Sequence, residues 1–347
     1  MLLRTASLDG VEIDADAGTA RVGAGALWGD LVPRASELGL AALHGSSPGV
    51  GIVGYTLGGG VSFYARKHGL ASDRVTAFEL VTADGQQIRV DVDNEPDLFW
   101  ALRGGGGSFG VVTALEFDLL PLREIYAGAL FFPAEQASDV LHGWHEWTSG
   151  VPDEMTSVGR LMNFPPIPEI PEPVRGKSFA VVEAIYCGDP ADGEGLVEPL
   201  RQLGTAVIDT MAAQPPAGIA DLHMDPPEPV PYWADSIVTE ELPARHTGGA
   251  LSRTPEDAGA LARLPGSFLA FGAGFVTAPE ALAPIRARLG AFKAALAPYD
   301  AGMYFNFAEE RLEMTKAFPP ETVDRLREVK RRYDPEDLFK SNHPVTG

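Results

Sequence analysis

Short alternations of apolar and polar residues near the start of the chain predict a β-hairpin over residues 11–23, with Asp14, Asp16 and Gly18 in its turn. Apolar residues then recur every three or four positions over residues 27–38, which is typical of an amphipathic helix, and Gly39 ends it. After a glycine-rich stretch the pattern predicts three strands and a short helix with Asn94 as its N-cap. The strands span 75–81, 87–92 and 111–119, and the helix spans 96–102.

From about residue 123 the pattern changes to strands separated by longer helices. Strands are predicted at 126–132, 179–186, 268–276 and 303–307, and helices at 135–147, 193–203, 279–297 and 319–333. Two proline-rich stretches, 164–174 and 226–231, have the composition of surface loops with polyproline II character. This pattern predicts an α+β fold in which helices cover an antiparallel sheet.

Composition and charge narrow the classes of function. A chain of 347 residues is long enough for about two domains. Its net charge of −21 repels phosphate backbones and anionic lipids, so we expect a small-molecule substrate and neither a nucleic-acid nor a membrane partner. The first nine residues lack the apolar core of a signal peptide, which predicts a cytoplasmic protein. Cys187 is the only cysteine, which excludes an internal disulfide, a cysteine zinc site and an iron–sulfur cluster.

Glycine accumulates at two places in the chain. The first is the segment GVGIVGYTLGGG at 49–60. Glycines let a backbone approach a ligand closely, so this loop could present N–H groups to a diphosphate or a flavin ring, although a tight turn explains the motif equally well. The segment lacks the strand–glycine–helix context of a dinucleotide fingerprint, and no Gly-Lys-Ser/Thr ends it as in a P-loop.

The second glycine segment is DLFWALRGGGGSFGVVT at 97–113, a short helix that leads through four glycines into a strand. A helix cap with a flexible linker is the simpler interpretation, but four consecutive glycines carry an entropy cost that a linker does not require. A third distinctive segment, RLREVKRRYDP at 325–335, precedes LFKSNHP at 338–344. In this order and spacing the three segments resemble the FAD-linked oxidases of the vanillyl-alcohol oxidase/p-cresol methylhydroxylase superfamily, berberine-bridge-like branch, and the resemblance covers essentially the whole chain.

The resemblance implies a p-cresol-methylhydroxylase-type FAD-binding domain, of which only the second sub-domain is present, and an antiparallel-sheet substrate domain covered by helices. The FAD-binding domain would comprise residues 1–122, the substrate domain 123–308, and residues 309–347 would return to the FAD-binding domain. FAD would lie between the domains, with the 49–60 loop along its pyrophosphate and flavin. The implied cofactor-binding residues are Ser47, Pro48, Gly51, Gly54, Gly58, Gly59, Gly60, Val111, Val112 and Asn342.

The chain departs from the family pattern in several places. Relatives carry a first sub-domain with an Arg-Gly-Gly-Gly-His-type loop, which often holds the flavin covalently, and no such loop precedes residue 11. Ser47 stands where relatives can have a flavin-linking cysteine, so any FAD would be bound non-covalently. Ser62 and Ser108 replace a glycine and an asparagine of the pattern. A misplaced start or a gene fragment is therefore expected, and the alternative to an active oxidase is a non-catalytic remnant that does not retain FAD.

The expected chemistry is the oxidation of a small organic substrate (an alcohol, a sugar or a secondary metabolite) by hydride transfer to flavin, with dioxygen as acceptor. Tyr304 and Asn306 lie in a segment that resembles the strand facing the flavin. The residue after Asn306 is often a tyrosine base in alcohol-oxidising relatives, and here it is Phe307, which cannot ionise. Tyr304 is the nearest phenol, although packing in the core explains it as well. A nicotinamide-dependent reductase is a third hypothesis, but no nicotinamide fingerprint supports it.

Other polar residues have ordinary structural explanations beside functional ones. Glu183 lies on a strand face where desolvation could tune its acidity, but a solvated sheet edge is the simpler interpretation. Tyr232 and Trp233 could line a substrate pocket or pack as loop aromatics. The histidines leave the same choice, and no metal site is expected: His142 and His145 share a helix face without a third ligand, His44 lies beside the glycine loop, and His343 follows Asn342.

Overall fold

The computed structural model of the protein describes residues 2–168, 170–225, 230–239, 249–276 and 278–345. Within these ranges the helices are α1 Trp28–Glu37, α2 Ile52–Leu57, α3 Ala65–His68, α4 Pro96–Leu102, α5 Ala137–Thr148, α6 Pro190–Arg201, α7 Ile219–Leu222, α8 Leu282–Leu296 and α9 Pro320–Tyr333. The strands are β1 Val11–Asp14, β2 Thr19–Gly23, β3 Val75–Val81, β4 Gln87–Asp91, β5 Val111–Asp118, β6 Ile125–Pro133, β7 Met155–Asn163, β8 Ser178–Tyr186, β9 Ile208–Asp209, β10 Ala212–Gln214, β11 Tyr232–Thr239, β12 Phe268–Phe275 and β13 Asp300–Gly302.

The first sheet is antiparallel, with the strand order β1-β2-β5-β3-β4. Alternate residues of its strands, such as Val22, Phe78 and Leu115, are fully buried because helices cover one face. The same core includes Trp28 of α1 and Leu326 of α9, so the last helix of the chain packs with the first sheet. This core is the rigid support for the loops that follow the strands and helices of the first 120 residues.

The second sheet has the order β10-β6-β8-β7, with β9 paired to β6. Helices α5 and α6 cover one face, where Val140 and Val197 pack against Val182. The alternate residues of β8, between those that face α5 and α6, point to the other face of the sheet. We call this the open face because α5 and α6 do not cover it. At one end of the open face Ile185 packs in a cluster with Tyr64, which follows the glycine loop in sequence. The second sheet therefore meets the glycine loop through its open face.

A third sheet, β12-β11-β13, is covered by α8. Two glycines of β12 allow the helix to lie close to the strand. A Cβ atom on Gly272 would lie 2.7 Å from Leu289 Cδ2, and one on Gly274 would lie 2.8 Å from Ile285 Cγ2. A larger residue at either position would require the Leu289 or Ile285 side chain to move.

A buried lysine fastens the C-terminal segment to the second glycine segment. Lys330 is 4% exposed, and its Nζ donates hydrogen bonds to the carbonyl oxygens of Ser108 (2.8 Å) and Phe339 (3.0 Å) and to Asp334 Oδ2 (2.5 Å). Asp334 in turn accepts the backbone N–H groups of Leu338 and Phe339. The buried charge is thus fully hydrogen-bonded, and it closes the chain end onto the core.

The structure confirms the α+β fold, and most elements lie within a few residues of their predicted bounds. Residues 303–307 are not a strand as predicted: Phe305–Phe307 is a 3₁₀ turn, and the neighbouring strand is β13. Asn94 does not cap α4, because Glu95 occupies the N-cap position and the Asn94 side chain bonds Asp91 instead. Strands β7, β9, β10 and β11 and the short helices α2, α3 and α7 were not predicted. Residues 226–229 of the second proline-rich stretch lie outside the described residues. No described helix is long and apolar enough to cross a membrane.

We expect Asp334→Ala to lower the free energy of unfolding by about 1.5–3 kcal/mol at pH 7, because the buried Lys330 charge loses its closest partner and keeps Asp337 Oδ1, 3.1 Å away, as its carboxylate partner. Burial opposes ionisation of Asp334, but hydrogen bonds from Lys330, Phe339 and Leu338 outweigh it and hold the pKa of the carboxyl below its usual value. The stabilisation is then complete above about pH 4 and is lost as the pH falls through the lowered pKa.

Urea unfolding from pH 3 to pH 8 measures this effect. Glu198→Ala is the matched control, because it removes an exposed ion pair with Arg201 on α6 and should cost less than about 1 kcal/mol. Equal losses in the two variants would contradict the role of Asp334.

Candidate functional site

The glycine loop, residues 49–60, is held at its start by backbone hydrogen bonds to α1. The Trp28 N–H donates to the Val50 carbonyl (3.1 Å) and the Gly29 N–H to the Pro48 carbonyl (2.8 Å). Helix α2 fills the middle of the loop, and the second glycine segment meets its end, where the Gly106 N–H donates to the Leu57 carbonyl (2.9 Å). The two glycine segments that the sequence singled out are therefore in direct contact.

The glycine loop has an open side and a packed side. A Cβ atom on Gly51 or Gly54 would meet no other atom within 4 Å, so the backbone at these positions is accessible. A Cβ on Gly58 would lie 1.9 Å from Asn306 Oδ1, and one on Gly60 would lie 2.5 Å from Tyr55 Cε1. Gly60 also has a φ of 82°, which side-chain-bearing residues rarely adopt. The loop therefore needs glycine for packing at 58–60 and can expose its backbone at 51 and 54.

Tyr304 and Asn306 are brought to the packed side of the glycine loop. The Tyr304 oxygen accepts hydrogen bonds from the N–H groups of Gly60 (2.9 Å) and Val61 (3.1 Å) and from Asn306 Nδ2 (2.9 Å). Asn306 Nδ2 also donates to the Tyr55 carbonyl (2.8 Å). Burial raises the pKa of Tyr304 above that of an ordinary phenol, so the phenol stays protonated at neutral pH. The geometry is that of a support for the loop, and a role for Tyr304 as the base stays a prediction.

Aromatic residues with unpartnered polar atoms lie behind the open side. Trp28 contacts Tyr55 edge-on, with ring centroids 5.4 Å apart, and His44 lies beside both Trp28 and Tyr64. His44 Nε2, Tyr55 Oη and Trp28 Nε1 are buried without a hydrogen-bond partner among the described residues. Burial lowers the pKa of His44 to about 4, so its ring is neutral at pH 7.

These atoms allow a test of whether the site suits the flavin that the sequence resemblance implies. The unpartnered His44 Nε2 and Tyr55 Oη and the open backbone at Gly51 and Gly54 offer donors and acceptors of the kind a polar, planar cofactor requires, so the residues fit. A small cavity of about 50 Å³, lined by Trp28, His44 and Pro48 among others, adjoins them. It is smaller than the roughly 300–1,000 Å³ of typical ligand sites, so it does not hold the whole cofactor by itself.

The remaining predicted cofactor-binding residues lie in different surroundings. Ser47 is half-buried, and Pro48 is exposed beside the open side. Val111 and Val112 pair with β3 at the start of β5, and Asn342 is exposed. Their contacts with a cofactor stay a prediction.

The neighbours of Asn342 dock the C-terminal segment. Ser341 Oγ lies 2.8 Å from Ser108 Oγ, so the end of the chain meets the second glycine segment. His343 stacks on Phe305 with ring centroids 5.2 Å apart, and its Nδ1 accepts the Leu312 N–H. Asn342 is thus held in place by the residues on both sides of it.

Glu183 is not at a solvated sheet edge, which corrects the interpretation that the sequence favoured. It lies in the central strand β8, is fully buried, and accepts hydrogen bonds from Arg160 Nη1 (2.6 Å) and His223 Nδ1 (2.8 Å). The sequence could not show this arrangement, because neither the strand order nor the existence of β7 was predicted. Tyr232 and Trp233 are likewise in strand β11 and not in a loop.

The other histidines do not gather into a site. His142 is exposed, with its Nδ1 donating to the Ser138 carbonyl, and His145 is half-buried. Among the residues that the structure describes, no three His, Cys, Asp or Glu side chains are arranged to hold a metal ion.

We expect Tyr304→Phe to lower the free energy of unfolding by about 1–3 kcal/mol, because the N–H groups of Gly60 and Val61 lose their acceptor in a buried position. Tyr299→Phe, which removes a hydroxyl from a residue that is 39% exposed, is the matched control and should change stability by less than about 0.5 kcal/mol. Denaturant unfolding of both variants measures the difference. An unchanged Tyr304→Phe protein would show that the phenol does not support the loop.

Comparison with known proteins identifies families and relatives of the chain. The family model described as "FAD binding domain" matches residues 1–91, and the one described as "Berberine and berberine like" matches residues 303–346. The chain is 30% identical over 381 residues to (R)-6-hydroxynicotine oxidase of Paenarthrobacter nicotinovorans, covering 97% of this chain and 80% of that protein. It is 28% identical over 386 residues to xylooligosaccharide oxidase of Thermothelomyces thermophilus, covering 95% and 74%.

A solved structure shows the same fold. The crystal structure of 6-hydroxy-D-nicotine oxidase from Arthrobacter nicotinovorans superposes with a TM-score of 0.76 at 26% identity, over 98% of this chain and 81% of that one. The matched families, the similarity to named oxidases along almost the whole chain and the shared fold lead to one conclusion. The chain belongs to the vanillyl-alcohol oxidase/p-cresol methylhydroxylase family of FAD-linked enzymes, in its berberine-bridge-like branch, and is an FAD-dependent oxidoreductase.

Proposed function

We propose that the protein oxidises a small organic molecule, an alcohol, a sugar or a secondary metabolite, by hydride transfer to non-covalently bound FAD, with dioxygen as the final electron acceptor. The observation that carries the proposal is the convergence of distant parts of the chain on the glycine loop. Asn306 Nδ2 bonds the Tyr55 carbonyl on the packed side, and Asp225 Oδ2 accepts the Ser46 hydroxyl (2.7 Å) just before the loop. Two relatives are named as oxidases, one of a hydroxynicotine and one of a xylooligosaccharide, which supports this substrate class.

The open side of the glycine loop offers the residues that would hold FAD: Ser47, Pro48, Gly51 and Gly54, with His44 and Tyr55 behind them. When bound, FAD supplies a two-electron acceptor that takes a hydride from a carbon next to oxygen or nitrogen. Ser47 has a hydroxyl and no thiol, so attachment through a cysteine at this position is excluded.

The chain itself shapes the site and keeps it in place. Tyr304 fixes the backbone of Gly60 and Val61, so these groups keep their positions during turnover. Phe307 contacts Tyr304 edge-on with ring centroids 5.5 Å apart and supplies no ionisable group. Phe307 has no ionisable group and the Tyr304 oxygen already accepts three hydrogen bonds, so the proposal includes a proton acceptor other than these two aromatic residues.

We expect Gly54→Ala and Gly60→Ala to have opposite effects on the flavin-free protein. Gly54 lies inside α2 with open space where a Cβ would be, so alanine should raise the free energy of unfolding by about 0.5–1 kcal/mol. Gly60→Ala should lower it by more than that amount, because of the positive φ and the contact with Tyr55.

Flavin binding should also distinguish the open side of the glycine loop from its packed side. A methyl group at 54 projects from the open side, so FAD should bind Gly54→Ala more weakly than it binds the wild-type protein, although this variant is the more stable one. Urea unfolding and FAD fluorescence quenching measure the two quantities. Unchanged FAD affinity in Gly54→Ala would place the cofactor away from this face.

We expect the purified full chain to bind FAD with the visible absorption of an oxidised flavin and to be bleached anaerobically by at least one member of a substrate panel. The panel is (R)-6-hydroxynicotine, xylobiose, cellobiose and benzyl alcohol, which covers amines, sugars and simple alcohols. Readmission of air should restore the colour and release hydrogen peroxide if dioxygen is the acceptor.

The spectra distinguish the possible results. A protein that stays colourless after incubation with FAD would support the alternative of a non-catalytic protein. A yellow protein that no panel member bleaches would contradict the proposed substrate classes, and restoration without peroxide would contradict dioxygen as acceptor.

A further inference from the structure

The open face of the second sheet carries a polar network in an otherwise apolar surface. Glu183 is fully buried, and its two carboxylate oxygens have different partners: Oε1 accepts from Arg160 Nη1 and Oε2 from His223 Nδ1. Arg160 Nη1 also donates to the His223 carbonyl oxygen (2.8 Å). On the same face Ile185 and Val181 lie on either side of Glu183 in apolar clusters. A charged group in such a position is costly unless it is paired, and here Arg160 and His223 are its partners.

The hydrogen bond to Glu183 decides which nitrogen of His223 is free. A carboxylate in an ion pair can only accept a hydrogen bond, so the hydrogen of the neutral ring lies on Nδ1. Nε2 then keeps its lone pair, and no described residue donates a hydrogen bond to it. The His223 side chain is 24% exposed, so the ring is partly accessible from outside the sheet. Glu183 therefore orients the neutral imidazole so that Nε2 is the accepting atom.

The backbone directs His223 and Asp225 to different partners. Met224 between them adopts a left-handed φ of 54°, which is uncommon for a residue with a side chain. With this turn, His223 reaches Glu183 of β8, and Asp225 reaches the Ser46 hydroxyl. Such conformations persist where surrounding contacts hold them, and here two hydrogen bonds do so.

His223 lies where the second sheet meets the glycine loop. Its ring contacts that of Phe63, three residues after Gly60, with centroids 6.1 Å apart. Ser46, bonded to Asp225, directly precedes Ser47 and Pro48 of the open side. The charged groups bonded to His223 are Glu183, at the ring, and Arg160, at the backbone carbonyl, both from the sheet.

We propose that His223, positioned by Glu183, accepts the proton from the substrate hydroxyl or amine during oxidation. This inference rests on the proposed function. It assigns the base to His223, because Phe307 has no ionisable group and Tyr304 is buried. The O–H or N–H bond breaks and its proton goes to Nε2, the C=O or C=N bond forms, and the electron pair of the adjacent C–H bond leaves as hydride to the oxidised flavin. Glu183 stabilises the resulting imidazolium, as the carboxylate does in a catalytic triad. We therefore assign His223 as a catalytic residue and Glu183 as a positioning residue.

The tautomer of His223 can be tested without flavin or substrate. Long-range ¹H–¹⁵N NMR of the histidine rings at pH 8 should show His223 with its hydrogen on Nδ1 in the wild-type protein and a loss of that preference in Glu183→Gln. His142 is an internal control, because its Nδ1 donates to a backbone carbonyl and should not respond to the substitution. A wild-type His223 with its hydrogen on Nε2 would overturn the proposal.

The catalytic role is tested by anaerobic stopped-flow reduction of the FAD-bound protein with the panel member that bleaches it fastest. His223→Gln keeps a side-chain donor for Glu183, so the variant should fold and retain its flavin spectrum. Its limiting rate of flavin reduction should fall by about 10²–10⁴-fold, whereas the substrate dissociation constant changes little. Glu183→Gln should lower the same rate by about 10–100-fold, as expected for a group that acts through another.

His142→Gln is the matched control on the surface of α5 and should reduce at the wild-type rate. If His223→Gln also reduces at the wild-type rate, the inference fails and the proposed oxidation stands. If no panel member reduces the wild-type protein, the proposed function fails first, and the base assignment falls with it.

Discussion

Three glycines in a row cannot hold a defined shape by themselves. In this protein, hydrogen bonds to a single phenolic oxygen hold the end of the run in place. The Tyr304 hydroxyl accepts the N–H groups of Gly60 and Val61, and Asn306 completes its hydrogen bonds. Tyr304 comes from a part of the chain that is 244 residues away from Gly60. The shape of the loop therefore depends on a residue from the far end of the sequence, and so on the tertiary fold.

Hydrogen bonds between residues far apart in sequence also hold the end of the chain. Lys330 is buried and charged, and carbonyl groups of Ser108 and Phe339 together with the Asp334 carboxylate satisfy it. A buried cation with these partners is sensitive to position, because each lost contact exposes a charge to an apolar medium. This sensitivity fixes the register of the final segment against the second glycine segment. Asn342, exposed between the anchored Ser341 and His343, is presented by that arrangement.

The glycine loop and the open face of the second sheet differ in the groups that make their hydrogen bonds. On the glycine loop, backbone groups provide most of the hydrogen bonds, which suits a cofactor common to a whole family. On the open face of the second sheet, side chains provide them, through Arg160, Glu183 and His223. Side chains differ between proteins of one fold, so differences in chemistry reside there, whereas the fold positions them. Phe307 has no ionisable group, whereas His223 on the other element has an imidazole.

The sequence by itself determined the family, the α+β class, the FAD cofactor and most helices and strands, because these follow from local patterns and from motifs of adjacent residues. It predicted Tyr304 and Asn306 as members of one site, and the structure brings both to the glycine loop. It did not determine the surroundings of Glu183, because burial in a central strand depends on which strands lie beside it, and β7 has no distinctive pattern. The position of His223 was not predictable for the same reason. Its contacts are with residues far away in sequence, among them Glu183, 40 positions earlier, and such contacts arise only when the chain has folded.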